Sequence, residues 1–107
     1  MLRFREPAYV GESLEKGGKG KKLQKKLQKG KLVKKSVTLI LYAMNGCDLF
    51  DLLPANELKY PWRKDQDFYV LGLASDKSEA IELVQGMVVE VFEHTGGFDV
   101  RGYFGYQ

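Results

Sequence analysis

Nine residues, Ser36 to Met44, constrain the architecture more than any other stretch of this chain. Val37, Leu39, Leu41 and Ala43 alternate with Thr38, Ile40, Tyr42 and Met44. Both faces of an extended chain here are therefore largely apolar. A strand of that kind must be covered on both sides. It predicts a central strand in a sheet with packed layers, ended by the turn formers Asn45-Gly46.

Two further segments read clearly. Asp67 to Ala74 alternates as a strand, with Phe68, Val70, Gly72 and Ala74 on one face and Tyr69, Leu71 and Leu73 on the other. Ser75-Asp76 then opens a long helix. Asp76 and Glu79 have the spacing of a capping box, and Glu79 favours the positive end of the helix dipole. Ala80, Ile81, Val84, Met87, Val88, Val91 and Phe92 recur with helical spacing and give the helix a broad apolar face. Gly96-Gly97 should stop it. Phe98 to Phe104 alternates again and predicts a third, half-exposed strand. Strand, helix and strand over 67–104 thus form an expected βαβ unit.

Between the two strong strands, Asp48 is a plausible cap for a short helix carrying Leu49, Phe50, Leu52 and Leu53, limited by Pro54. Ala55 to Lys59 suits a further turn, and Tyr60 to Asp65 a loop anchored by Trp62. The fold class expected is α/β, with α+β also compatible: one small domain, about three core strands, and helices packed on the sheet. A sheet this small has exposed edges, so homo-oligomerisation through an edge strand is an expectation.

The N-terminal third has a different character. Half of residues 16–35 are lysine, with no acidic residue among them, giving +10 against +3 for the whole chain of 107 residues. Residues 1–15 sum to −1 and residues 36–107 to −6. The expected organisation is a basic segment over 1–35, partly flexible with a short Lys-rich helix, and a globular α/β core over 36–107. Residues 8–10 suggest a short extended piece. Gly17, Gly18 and Gly20 should break any helix begun at Ser13. From Lys21 to Gly30 the residues favour helix, with only Leu23 and Leu27 to dock it. A helix so short is marginal in water, and lysine repulsion favours the undocked form.

The lysine segment is the leading functional candidate. Lys19, Lys21, Lys22, Lys25, Lys26 and Lys29 could neutralise phosphates and release counterions. Without arginine, aromatic or asparagine residues in the segment, base readout and stacking are not expected, so contact with nucleic acid would follow the backbone. An acidic protein is the alternative partner. Trp62 and Arg63, with Tyr103 and Tyr106 in the aromatic C-terminal stretch, are candidate interaction residues.

Several chemistries are disfavoured. Gly17-Gly18-Lys19-Gly20-Lys21-Lys22 lacks the Ser/Thr and the preceding strand of a phosphate loop. One cysteine, Cys47, and one histidine, His94, exclude an internal disulfide and a Cys/His zinc site. No third group supports a Cys47–His94 dyad. Asp48 and Asp51, like Asp65 and Asp67, are accounted for by capping and solvation. No cofactor, metal or catalytic residue is expected. The longest apolar run, Leu39 to Met44, is far below the ~20 residues that span a bilayer, and no signal-peptide pattern opens the chain, so the expected location is cytoplasmic. Together these features describe a non-catalytic binding or assembly module whose lysines contact a polyanion. Two alternatives remain: a ligand-binding or enzymatic subunit with its pocket at the strand carboxyl ends, and an accessory subunit of a larger complex.

Overall fold

Thr38–Tyr42, the middle of the long apolar run, lies inside a sheet that has four strands among the described residues of the computed structural model, which are 2–15, 19–29, 37–42, 49–59 and 68–105. In chain order the elements are β1 (Leu2–Val10), α1 (Glu12–Glu15), α2 (Lys19–Gln28), β2 (Thr38–Tyr42), β3 (Phe50–Pro54), a 3₁₀ helix (Ala55–Lys59), β4 (Phe68–Ala74), α3 (Lys77–Thr95) and α4 (Val100–Phe104). The strand order is β1-β4-β2-β3. β1 runs parallel to β4, while β2 is antiparallel to both β4 and β3. The chain is a small α/β domain with a mixed sheet and helices packed on it.

Every residue of β2 is buried, as expected for a strand apolar on both faces. Leu39 and Leu41 point into one core with Phe4, Phe68, Val70 and Leu73, closed by Leu14 of α1 and Leu23 and Leu27 of α2. Ile40 and Tyr42 point into the other, closed by Ala80, Met87 and Val91 of α3 and by Val100 and Phe104 of α4. The basic segment therefore shares one core with the rest of the chain. Its helix is docked, against the expectation that lysine repulsion would favour the undocked form: Leu23 and Leu27 are buried in this core, and Lys21, Lys22, Lys25 and Lys26 stay in solvent where their repulsion is screened.

Four further expectations need correction. Residues 98–104 do not complete a βαβ unit. Asp99 accepts a hydrogen bond from the Gly102 amide at 3.1 Å and starts helix α4. Val100 and Phe104, four residues apart, then share a helical face and enter the core together, while Phe98 remains outside. Residues 50–54 form a strand, not a helix: β3 pairs with β2 from Tyr42 opposite Phe50 to Thr38 opposite Pro54. The extended piece near residue 8 is the end of a nine-residue edge strand. Pairing of β1 with β4 is interrupted between Phe4 and Tyr9, the stretch that contains Pro7, and proline is tolerated on an edge.

The fourth correction concerns the faces of β4. Ile40 pairs with Gly72 and Leu41 with Val70, which leaves Leu71 as an extra residue. This bulge shifts the alternation by one. Leu73 accordingly joins Phe68 and Val70, and Ala74 crosses to the side of Leu71. Helix α3 begins and ends where its sequence predicts, but Ile81 and Phe92 of the expected apolar face stay exposed. Asp76 Oδ1 accepts from the Glu79 amide at 2.8 Å, and Gly96 ends the helix with φ 74°, a left-handed conformation that favours glycine.

Candidate polyanion-binding face

Successive helical residues turn by about 100°, so Lys21, Lys22, Lys25 and Lys26 of α2 fall within an arc of about 140°. All four are exposed, as is Lys29 just beyond the helix. Gly20, Leu23 and Leu27 are buried on the opposite arc. A Cβ at position 20 would stand 2.9 Å from Val10 Cγ1, so α2 approaches β1 closely there. The helix has no acidic residue, and Lys25 and Lys26 fall in its last turn, where cations complement the dipole. The result is a short basic surface on a helix fixed from behind.

Lys19 opens the same helix. Trp62, Arg63 and Tyr106 lie outside the described residues. Tyr103 is on α4, packed against the core on the opposite side of the sheet from Leu23 and Leu27. It is thus not part of the lysine face.

The carboxyl ends of the parallel strands β1 and β4 lie side by side, each followed by a helix. Ligands of open α/β sheets bind in that position. Here the carboxylate of Glu79 occupies it. Glu79 accepts hydrogen bonds from the Ser75 amide at 2.9 Å, the Ser13 amide at 3.3 Å and the Ser13 hydroxyl. Only half of the expected capping box forms, because this carboxylate reaches Ser75 and Ser13 in place of the Asp76 amide. It joins the start of α1 to the start of α3.

The Ser13 hydroxyl, then the Ser75 amide, holds the Glu79 carboxyl below its usual range. Stability from a depressed carboxyl is fully present above the unfolded pKa and is lost as pH falls through the folded value. Glu79→Gln should lower stability at neutral pH by no more than about 0.5 kcal/mol, because solvent screens a carboxylate this exposed. That difference should shrink on acidification below about pH 4. Urea unfolding of both proteins at several pH values measures it, and a gap that did not change with pH would rule out the ionic contribution.

A second cluster gathers beneath α4. The Tyr9 hydroxyl lies 2.9 Å and 2.8 Å from the two carboxylate oxygens of Glu90. Burial, reinforced by this acceptor, pushes the Tyr9 pKa up to about 12. Tyr103 also bonds Glu90, which raises its own pKa. The Arg5 guanidinium lies 5.5 Å from the Tyr9 ring centre and 5.4 Å from that of Phe104. Tyr42, raised to about 12 chiefly by burial, donates to the Gly105 carbonyl, with Arg101 over its ring at 4.9 Å. These tyrosines are protonated donors at neutral pH; Tyr9 ties β1 to α3, and Tyr42 ties β2 to the end of α4. They supply no activated nucleophile.

His94 Nδ1 lies 2.9 Å from the Glu90 carbonyl oxygen, which can only accept. The ring therefore serves the last turn of α3. Among the described residues no three metal-ligating side chains come together, and no helix is long and apolar enough to cross a membrane. Neither the Glu79 latch nor the Tyr9–Glu90 pair was readable from sequence, since their partners are 66 and 81 residues apart. No protein-family model, curated protein or solved structure matches the chain.

Proposed function

We propose that the outer face of α2 binds a nucleic-acid backbone through Lys21, Lys22, Lys25, Lys26 and Lys29, without catalysis and without base readout. The observation that carries this reading is the arrangement of exposed lysines on one arc of a helix whose other arc is buried. A docked helix presents its charges without a further cost of ordering backbone, unlike a flexible tail. The acidic side chains of α3, among them Glu82, Glu90 and Glu93, are carried on the other side of the sheet. That polarity orients the lysine face toward a polyanion during approach. The single cysteine is in keeping with a reducing, cytoplasmic setting.

Fluorescence anisotropy of labelled duplex and single-stranded DNA across a salt series tests the proposal. Four neutralised phosphates give a slope of log K against log[salt] of about −3.6 for duplex. Gln at positions 21, 22, 25 and 26 together should abolish binding at moderate salt. Absence of binding at low salt, or a slope near zero, would reject the reading and leave an acidic protein as the partner to test.

A further inference from the structure

We infer a second interaction surface, on the outer side of α3, that docks a basic amphipathic helix of a partner protein. Ile81, Val89, Phe92 and Phe98 are 41%, 53%, 51% and 55% exposed. They are the exposed large hydrophobic residues of the described structure. Three belong to one helix. At about 100° per residue, Ile81, Phe92 and Val89 fall within about 80° of one another. Phe98, reached through the turn at Gly96 and Gly97, stacks on Phe92 with ring centres 5.4 Å apart and planes 24° apart. Single exposed apolar residues are ordinary, whereas Val89 and Phe92 on adjacent turns, with Phe98 stacked on Phe92, make one patch, separated from Ile81 by the exposed Gln85 on the same arc, and such a patch marks a contact surface.

The charges beside the ridge identify its occupant. Glu82 and Glu93 are exposed and lie on one flank of the ridge, about 20° to 40° beyond Val89. No lysine or arginine lies on α3 after Lys77. A second copy packed antiparallel through the same face would bring Glu82 of one helix to the same rim as Glu93 of the other. Like charges would then crowd an interface that a basic partner would neutralise. A helix with apolar residues at i, i+3, i+4 and i+7, flanked by lysine or arginine, satisfies both the ridge and its rim. The surface is separate from the lysine face, on the opposite side of the sheet, and does not depend on it.

Two labelled helical peptides of about 18 residues, one of leucine and lysine and one of leucine and glutamate with the same spacing, serve as probes. The full chain should bind the lysine peptide and not the glutamate peptide. Phe92→Ser with Phe98→Ser should weaken that binding by about tenfold or more. Both rings are exposed, and unchanged circular dichroism would show that the fold persists. Glu82→Lys with Glu93→Lys should reverse the preference between the peptides, which a nonspecific attraction to the whole acidic side would not do. The inference is overturned if neither peptide binds, if the phenylalanine variant binds as tightly as the parent, or if charge reversal leaves the preference unchanged. A mass that rises with concentration, lost in the phenylalanine variant, would assign the ridge to a second copy and overturn it equally.

Discussion

Leu27→Ala should destabilise this protein by roughly 2–5 kcal/mol, the usual range for truncating a buried leucine. A loss of that size lowers the melting temperature of a domain of about 100 residues by roughly 8 °C or more. The reason is packing. Leu27 is 4% exposed and shares a core with Leu23, Leu14, Leu39 and Leu53. It is also one of only two leucines on a helix whose other side chains are lysine and glutamine. Removing it weakens the attachment of the entire lysine face. The contrast is informative: the lysine-to-glutamine changes at 21, 22, 25 and 26, all exposed, should each move stability by no more than about 0.5 kcal/mol. Thermal unfolding followed by circular dichroism distinguishes a docked helix from a solvated tail. In a tail, Leu27→Ala would leave the melting curve in place. If the docked α2 binds DNA as proposed, the same variant should also weaken that binding while retaining every lysine.

What could be read from sequence follows the length and regularity of each segment. β2, β4 and α3 carry their apolar pattern over enough residues for one period to win. The αL stop at Gly96 and the Asp76 cap depend only on near neighbours. Short segments are different. Phe50-Asp51-Leu52-Leu53 has apolar residues at spacings compatible with either a helix or a strand, and pairing with the buried β2 decides for a strand. Val100 and Phe104 are four residues apart, a multiple of the strand period and close to one helical turn. The Asp99 cap decides for a helix. β1 was obscured by Arg3, Arg5, Glu6 and Pro7, which are acceptable on an interrupted edge strand and would not be in a central one.

The candidate site divides in the same way. The lysines are visible as composition, and their single arc follows from helical geometry. Docking of α2 runs against the sequence expectation of an undocked form, because the lysine charge is plain in the sequence while two leucines do not identify the surface they meet. Contacts joining Ser13 to Glu79 and Tyr9 to Glu90 depend on the strand order, which places the end of β1 beside β4 and under α3. No local pattern carries that information. The exposed ridge on α3 was misread for a related reason. Ile81 and Phe92 fit the helical apolar face, yet only Ala80, Met87 and Val91 of that helix are fully covered.

Gly72→Ala should be costly for a reason invisible in its sequence position. A Cβ at 72 would lie 2.7 Å from the Tyr9 carbonyl oxygen, 3.1 Å from Tyr9 Cβ and 3.3 Å from Ile40 Cδ1. The first contact is with backbone, which cannot move aside as the end of a side chain can. Gly72 also pairs with Tyr9 on one side and Ile40 on the other, at the bulge that resets the faces of β4. A shift of Tyr9 would disturb its bonds to Glu90 and its edge-on contact with Phe104, at 5.6 Å between ring centres. Overpacking of this kind typically costs about 1–3 kcal/mol, and valine at the same position should cost more. Gly86→Ala is the internal control. Its Cβ would meet nothing within 4 Å, so the gain in helix propensity should stabilise the chain by up to about 1 kcal/mol. Chemical denaturation of the two alanine variants should therefore move the midpoint in opposite directions. Equal effects at positions 72 and 86 would mean that β1 does not approach β4 closely at Gly72, and the parallel pairing that builds this edge of the sheet would have to be redrawn.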